Sequence, residues 1–516
     1  MPPDHGPAPG ALPAPFELEE MTVGEMQEGM RSGRYTARSL TEAYLGRIEA
    51  VDKRGPAINS MIELNPDALA IADALDQERK AKGPRGPLHG IPVLIKDNIG
   101  TRDRMTTTAG SLALAGSIPS TDAFVAKRLR EAGAIILGKT NLSEWANFRS
   151  SHSSSGWSGR GGQTRNPYAL DRNPCGSSSG SGVAVAANLC AVAVGTETDG
   201  SIVCPSSANG IVGIKPTMGL VSRSGIIPIA HSQDTAGPMA RTVSDAAILL
   251  DALTGVDPED AITAERGKAK RVHYTEFLDP KGLVGARIGA ARKFFGFSDA
   301  VDKLMETAMD AMKRAGATIV DPAEVETAHK FEDSEFQVLL YEFKADLNAY
   351  LEKLAPGVPV RSLKEIIGFN ERNRAKEMPY FGQDIFLKAV EKGPLTSKEY
   401  VEALEKNHRL ARADGIDAVM DKLHLDALVA PTGGPAWLID LVDGDHDTGG
   451  SSSPAAVAGY PNINVPLGFV FGMPVGISFF GRAYSEPTLI KLAYAFEQAT
   501  KPRRAPRFLA TADLGV

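Results

Sequence analysis

Three residues of this chain have side chains that could together do nucleophilic chemistry: Lys96 in GIPVLIKDNI, Ser177 in CGSSSGSG and Ser201 in GTETDGSIVCP. None of these three segments contains a histidine. A serine hydroxyl becomes a strong nucleophile when a neighbouring base takes its proton. A buried lysine can be that base, because desolvation lowers its pKa and leaves a neutral amine. The three residues therefore indicate hydrolysis of an amide bond without histidine.

The two serines lie in glycine-containing turns that the fold would have to bring together. Residues 176–182, GSSSGSG, have the composition of a flexible linker, but they lead directly into apolar secondary structure. Residues 183–189 are predicted to form a helix of small residues, and residues 191–196 a buried strand that ends at the second turn. A helix that returns along its strand could place Ser177 beside Ser201. Backbone N–H groups of the second turn could then bind an oxyanion.

Lys96 directly follows an apolar strand predicted over residues 91–95. Most lysines are exposed, so a lone lysine carries little information by itself. The apolar residues and the proline before Lys96 favour a buried stem, with the amine directed into a pocket.

The segment Gly133–Thr140, GAIILGKT, matches the phosphate-binding pattern G-x-x-x-x-G-K-[ST] letter for letter. In that motif the strand comes before the first glycine, and the four variable residues form the loop. Here those four residues are Ala-Ile-Ile-Leu, which are typical of a strand. No loop remains to surround a phosphate, so a nucleotide-binding protein is a rival interpretation that this context disfavours.

The composition of the 516-residue chain is ordinary for a globular protein, with 43% hydrophobic and 23% charged residues and a net charge of −7. This charge provides no basic surface for nucleic acid. The longest run of small apolar residues, 183–195, is too short to span a bilayer. Residues 1–16 lack the basic start and apolar stretch of a signal peptide. We therefore expect a cytoplasmic protein that binds neither nucleic acid nor a membrane.

The three cysteines, Cys175, Cys190 and Cys204, are interpreted as small buried residues. Their number is odd and their spacings fit no zinc pattern, so no disulfide framework is expected. The nine histidines are scattered and no H-E-x-x-H occurs. No metal site and no cofactor are predicted.

The order of predicted elements indicates one large domain. Residues 1–16 are rich in Pro, Gly and Ala and are predicted to be a disordered tail. Strands and helices alternate at both ends of residues 17–510, which predicts an α/β domain whose sheet has helices on both faces. Within it, residues 330–425 have a mainly helical pattern and are interpreted as an insertion.

Longer segments around these residues resemble the amidase signature family: GIPVLIKDNI, GKTNLSEWANF, CGSSSGSG, GTETDGSIVCPSSANGIVGIKPT and DTAGPMARTVSDA. Within the family, NFRSSHSSSGWSGRGGQTRNPY and the GTETDGSIVCP variant resemble bacterial peptide amidases. The resemblance implies a single large α/β domain with a central mixed β-sheet covered by helices on both faces, the amidase signature fold. It also implies deamidation of peptide C-terminal amides, with release of ammonia, by a monomer or homodimer without a cofactor.

The resemblance implies a Ser-Ser-Lys triad. Ser201 would be the acyl nucleophile, Ser177 the bridging serine after a cis peptide bond, and Lys96 the base. Trp145 and Asn147 follow the GKTN turn, near the position where family members line the acyl pocket, although Trp145 could equally be a core residue. The oxyanion hole would consist of the backbone N–H groups of Thr198, Asp199, Gly200 and Ser201.

The chain departs from the commoner family form of the second turn, D-T-G-G-S-I-R. Glu197 replaces the usual aspartate, Val203 replaces the arginine, and Ser179 replaces the glycine after the serine pair. Related activities therefore stay open: a glutamine amidotransferase subunit, an amidase for fatty or aryl amides, or a catalytically silent scaffold. The amidotransferase subunit would need partner subunits and usually the arginine that Val203 replaces.

Overall fold

A mixed β-sheet of eleven strands lies at the centre of the protein in the computed structural model, which describes residues 15–266 and 272–514. Two further short strands, β4 and β5 below, pair with one another outside this sheet. In chain order the strands are β1 (Met61–Leu64), β2 (Pro92–Lys96), β3 (Ile135–Thr140), β4 (Trp157–Ser158), β5 (Gly162–Gln163), β6 (Val192–Glu197), β7 (Val212–Lys215), β8 (Thr235–Ala240), β9 (Arg287–Ala290), β10 (Thr318–Val320), β11 (Ala427–Pro431), β12 (Asn462–Val470) and β13 (Met473–Phe480).

The order across the sheet is β1-β3-β2-β6-β8-β7-β12-β13-β11-β9-β10. Strands β3, β2 and β6 are parallel to one another, β11, β9 and β10 form a second parallel group, and antiparallel pairs connect the two groups. Every residue of β2, β3 and β6 is buried, so helices cover both faces there. The predicted fold class, one α/β domain with a mixed sheet, is confirmed.

Three of the helices begin at a threonine that caps them. Thr22 accepts a hydrogen bond from Glu25 N and Thr36 from Ser39 N, each in a capping box, and Thr242 accepts from Asp245 N. The α-helices are α1 (Val23–Ser32), α2 (Ala37–Ile48), α3 (Ala68–Lys82), α4 (Phe124–Glu131), α5 (Ser179–Ala186), α6 (Val203–Ala208), α7 (Val243–Leu253), α8 (Thr263–Arg266), α9 (Asp299–Arg314), α10 (Glu332–Glu352), α11 (Leu363–Arg372), α12 (Arg374–Glu377), α13 (Asp384–Val390), α14 (Lys398–Ala411), α15 (Asp417–Leu423), α16 (Ser453–Ala458) and α17 (Glu486–Thr500).

The segment that resembles a phosphate-binding loop is part of the sheet. Its residues Ile135–Thr140 form β3, and Lys139 is fully buried there. Lys139 Nζ donates to Thr107 Oγ1 at 2.8 Å and to Ile99 O. A lysine amine that is buried and bound in this way cannot reach a phosphate, which supports the interpretation of the segment as a strand.

The helices α10–α15 lie within residues 330–425 and pack beside the loop that follows β3. The Phe343 ring of α10 is 5.0 Å from Phe148 and 5.3 Å from Phe386, measured between ring centroids. Of the predicted tail, residues 1–14 lie outside the described range, and Phe16 packs against Tyr44 at 5.7 Å. In residues 15–266 and 272–514, no helix has the length and apolar character needed to cross a membrane.

Candidate active site

The sheet brings the carboxyl ends of β2 and β6 side by side. The two strands are parallel, with Ile95 opposite Val194. Lys96 is the last residue of β2, and Glu197 is the last residue of β6, directly before the turn that carries Ser201. Open α/β sheets place their sites outside the carboxyl ends of the strands, so this edge is where we expect chemistry.

The amine of Lys96 lies between the serine-rich turn and the end of β6. Its Nζ atom is 2.7 Å from Ser177 Oγ, 2.9 Å from Thr196 Oγ1 and 3.2 Å from Thr196 O. A neutral amine has two N–H groups and one lone pair, so it can donate twice to Thr196 and accept the hydroxyl proton of Ser177. Asn98 Nδ2 also donates to Thr196 Oγ1, at 3.0 Å. The peptide bond between Gly176 and Ser177 is cis, as the family resemblance implies.

Burial lowers the pKa of Lys96 to about 7, although the negative charges of Asp234 and Glu197 act in the opposite direction. An unperturbed lysine has a pKa of about 10.4. The side chain is fully buried, which accounts for the direction of the shift. A large share of Lys96 is therefore uncharged at neutral pH and able to accept a proton.

The serine-rich turn is a packed element and not a linker. Ser178 Oγ donates to Thr196 O at 3.0 Å and accepts from Thr196 N at 3.1 Å. Ser178 N also donates to Ser201 O at 3.1 Å, which joins the two turns directly. A Cβ atom at Gly180 would lie 2.3 Å from Ser60 O, so the absence of a side chain lets α5 approach the neighbouring backbone.

The turn that carries Ser201 is held by a buried carboxylate. Glu197 Oε2 accepts hydrogen bonds from Ile202 N at 2.7 Å and Val203 N at 3.0 Å. Gly200 has a φ of +76°, a conformation that glycine adopts without strain. Ser201 is 8% exposed, whereas Val203, at the position of the usual arginine, is fully buried. The departures at positions 197 and 203 therefore preserve a folded turn.

Four consecutive backbone N–H groups of this turn are candidates for binding a substrate oxygen. Within the described residues, none of them donates a hydrogen bond. The side chains of the turn are instead held from outside: Thr198 Oγ1 donates to Asp234 Oδ1 at 2.6 Å, and Ser453 Oγ donates to Asp199 Oδ2 at 2.6 Å. The four N–H groups belong to the residues predicted for the oxyanion hole, Thr198, Asp199, Gly200 and Ser201.

The interpretation of the cysteines as three unpaired buried residues is wrong. Cys175 and Cys204 form a disulfide with a Cα–Cα distance of 6.0 Å, and Cys190 is free and buried. Cys175 lies two residues before Ser177, and Cys204 three residues after Ser201. Once the two turns meet, their flanking residues meet as well, and spacing along the chain carries no sign of this. The disulfide therefore connects the two serine turns covalently.

We expect the Cys175→Ala/Cys204→Ala double variant to have a free energy of unfolding lower by about 3 kcal/mol, because the bond closes a loop with a sequence separation of 29. Urea-induced unfolding of the oxidised wild type and the variant measures this difference. Cys190→Ala is the matched control and should lose about 1 kcal/mol or less. Titration of three free thiols in the native protein would contradict the disulfide.

A cavity of about 200 Å³ opens beside the turn that carries Ser201. Its lining includes Thr196, Glu197 and Thr198 and the apolar residues 226–229, Ile-Ile-Pro-Ile. The rim carries charged groups, among them Arg223. A mostly apolar space with a few polar groups is typical of a small-molecule site.

The two residues predicted to contact the substrate, Trp145 and Asn147, belong to the turn beside this cavity and make different contacts. Trp145 is 2% exposed, and its ring packs edge-on against Phe386 with centroids 5.8 Å apart. Asn147 Nδ2 donates to Ser155 Oγ at 2.8 Å, so this amide supports the following loop. Ala146, between them, is the residue of this turn that lines the cavity. Direct contact of Trp145 or Asn147 with a substrate stays a prediction.

Three residues at the site were not singled out in the sequence. Thr196 binds the Lys96 amine, Asn98 binds Thr196, and Asp234 accepts from the Thr198 hydroxyl in the turn that carries Ser201. Each belongs to a motif that carries the family resemblance, since Asn98 follows the lysine, Thr196 precedes the turn and Asp234 begins DTAGPMARTVSDA. The motifs marked these positions, but the role of each depends on contacts between distant segments.

One group of side chains in the described part of the chain has the composition of a metal site. His231, Glu342 and Asp346 each place a ligand atom within 4.8 Å of the others. His231 Nδ1 is 2.8 Å from Asp346 Oδ2, and Tyr400 OH donates to Glu342 Oε1 at 2.7 Å. Burial lowers the pKa of His231, but the hydrogen bond to Asp346 and the charges of Glu342 and Asp346 raise it overall. The three groups therefore form an ion-paired cluster.

Comparison with known proteins gives consistent results. The amidase family model matches residues 39–490. A probable amidase of Arabidopsis thaliana is 44% identical over 508 residues, covering 97% of this chain and 94% of that protein. A glutamyl-tRNA(Gln) amidotransferase subunit of Thermoanaerobacter pseudethanolicus is 32% identical over 509 residues, covering 96% and 100%.

Two solved structures of peptide amidase are also similar. The native enzyme from Stenotrophomonas maltophilia is 52% identical with a TM-score of 0.91, covering 96% of this chain and 100% of that chain. A peptide amidase in complex with the competitive inhibitor chymostatin is 52% identical with a TM-score of 0.93, covering 95% and 100%. The resemblance inferred from the sequence motifs is confirmed.

Proposed function

Because this chain belongs to the amidase family and is a hydrolase acting on amides, we propose that it removes the C-terminal amide of peptides and releases ammonia. The observation that carries the proposal is the buried amine of Lys96, 2.7 Å from Ser177 Oγ, in a turn joined to the Ser201 turn. The 52% identity to two peptide amidase structures supports the choice of peptide amides over other amides.

The proposed reaction begins with a proton relay. Neutral Lys96 accepts the hydroxyl proton of Ser177, and Ser177 accepts that of Ser201. The Ser201 oxygen then forms a bond to the carboxamide carbon, and the carbonyl π electrons move onto the oxygen. The free N–H groups of the turn stabilise this oxyanion, and each such donor contributes about 3–4 kcal/mol in other hydrolases.

The second half of the reaction returns the protons. Lys96 gives its proton back through Ser177 to the amide nitrogen, the C–N bond breaks and ammonia leaves. Ser201 is now acylated by the peptide. Water, deprotonated through the same relay, attacks the ester carbon. The bond from that carbon to the Ser201 oxygen then breaks, the relay returns the proton to Ser201, and the acid product is released and ionises. This sequence needs no metal and no cofactor.

A substrate panel tests the proposal. We expect the purified chain alone to hydrolyse peptide C-terminal amides with a higher kcat/KM than fatty amides, anilides or free glutamine, measured by ammonia or amine release. A preference for a fatty or aryl amide would contradict the peptide substrate while leaving amide hydrolysis in place.

The same preparation tests the alternative of an amidotransferase component, which the 32% identical relative brings into consideration. That alternative predicts glutamine as substrate and dependence on partner chains. Size-exclusion chromatography of the active species also tests the predicted monomer or homodimer. Activity in a complex with other chains only would favour the amidotransferase.

The compartment is a separate question. Disulfides persist mainly in oxidising compartments, so the Cys175–Cys204 bond favours such a compartment over the predicted cytoplasm. Trapping thiols in intact source cells before lysis measures the oxidation state of the pair. A fully reduced pair in those cells would favour the cytoplasm.

A further inference from the structure

The side chain of Asp199 connects the nucleophile turn to helix α10. Ser453 Oγ donates to Asp199 Oδ2 at 2.6 Å. The other oxygen, Oδ1, is buried and accepts from no N–H group and no serine, threonine or tyrosine hydroxyl of the described residues. The carboxyl group of Glu335, on the first turn of α10, is close enough for the charge of Asp199 to act on its pKa. An acidic side chain of the turn and an acidic side chain of α10 therefore lie near one another.

These two carboxyl groups are compatible only when a proton lies between them. Glu335 is 7% exposed. Burial, and then the charge and hydrogen bond of Asp199, raise the pKa of Glu335 well above its ordinary value. The raised pKa favours a neutral Glu335, whose O–H is a donor that Asp199 can accept. The other charged groups that act on this pair from surrounding elements are Glu332 on α10, Glu197 on β6 and Lys215 on β7.

A second connection runs from Glu335 to the same turn. Gln233 Nε2 is 2.9 Å from Glu335 Oε1 and 3.2 Å from Thr198 O, and donates to both. Gln233 is 1% exposed, so this amide is fixed between the helix and the turn. Thr198 and Asp199, two of the four residues with free N–H groups, are thus both held through Glu335.

We propose that Glu335 is a positioning residue for amide hydrolysis: its carboxyl proton holds Asp199, and through Gln233 it holds Thr198, so that the N–H groups of the turn stay directed at the substrate oxygen. The inference rests on the proposed role of that turn. Loss of the Glu335 proton would place two negative charges side by side and would displace the turn. The commoner D-T-G-G-S-I-R form has glycine at the position of Asp199 and cannot make this contact.

Two variants and one control test the proposal through the pH profile of kcat/KM on a peptide amide. Glu335→Ala removes the donor and should lower kcat by about tenfold to about 100-fold, with a smaller change in KM, because an oxyanion contact acts in the transition state. Glu335→Gln keeps an N–H donor and cannot ionise. It should stay near wild type at neutral pH and lack the decline in activity that we expect of wild type at alkaline pH. Glu352→Gln, an exposed glutamate on the same helix, should follow wild type throughout.

A second measurement distinguishes failure of the Glu335 proposal from failure of the proposed substrate. The rate at which a serine-reactive phosphonate labels Ser201, measured over the same pH range, requires no peptide. If wild type is labelled but hydrolyses no peptide amide, the substrate assignment fails, and the labelling profiles still test Glu335. The proposal is overturned if folded Glu335→Ala matches wild type in both assays. It is equally overturned if Glu335→Gln keeps the alkaline decline, and this result decides the matter even where the alanine variant does not fold.

Discussion

Ser201→Ala is expected to lower kcat on a peptide amide by a factor on the order of 10⁶, the loss seen when other serine hydrolases are deprived of their nucleophile. The variant has no oxygen that can form the acyl-enzyme, while the backbone of the turn keeps its N–H groups. The turn is held by Glu197 and by contacts of Thr198 and Asp199, none of which involves the Ser201 hydroxyl. Substrate binding and thermal stability should therefore change little.

The matched control for this variant is Ser207→Ala. Ser207 is buried in the next helix, α6, and its Oγ atom has no hydrogen-bond partner among the residues that the structure describes. Its removal should leave kcat within a factor of about two to three, as expected for a side chain without a polar contact. Mass spectrometry after phosphonate treatment should find the label on Ser201 in wild type and in Ser207→Ala only. Retained turnover in purified Ser201→Ala would refute the nucleophile assignment.

Lys96→Met is expected to lower kcat/KM by about 10³-fold, because it removes the general base and keeps the length and apolar character of the stem. In wild type, activity should rise with pH through the pKa of Lys96, about 7, since the amine must lose its proton before it can accept one from Ser177. In the variant this step is absent. Its residual rate should instead increase with pH, as hydroxide replaces the missing base, up to the pH at which Glu335 loses its proton. Lys96→Ala should behave in the same way.

Lys139→Met removes a different buried lysine and serves as the comparison for Lys96→Met. Its amine is fully buried and binds Ile99 O and Thr107 Oγ1, so its loss should reduce stability. The folded fraction should nevertheless keep the pH dependence of wild type. Equal pH profiles for Lys96→Met and wild type, or nearly equal activity, would show that the base lies elsewhere.

Much of the site could be predicted from local sequence, because its parts are local. A strand that ends at Lys96, a glycine in a left-handed turn before Ser201 and a small-residue helix after Ser177 each depend on neighbouring residues. The helix caps at Thr22 and Thr242 also depend only on residues that are near in sequence. The long motifs around these residues were enough to indicate the family and its chemistry.

Other features could not be read in this way, because they arise from contacts between distant segments. Strand β8, TAGPMA, shows no alternation of apolar and polar residues, and only its first residue is β-branched. It is a strand because it pairs with β6, from Val192 opposite Ala240 to Glu197 opposite Thr235. The pattern of the sequence therefore did not predict it. Strand β1 and helix α3 were missed as well.

The residues alone were enough to indicate the α/β class and the family, and they predicted which groups react. Folding established which groups meet: Cys175 with Cys204 across the two serine turns, and Asp199 with Glu335 from a helix more than a hundred residues along the chain. Side-chain chemistry and backbone propensity are properties of short segments. Proximity across long sequence separations depends on the order of strands in the sheet and on the packing of helices against it, and no short segment encodes either.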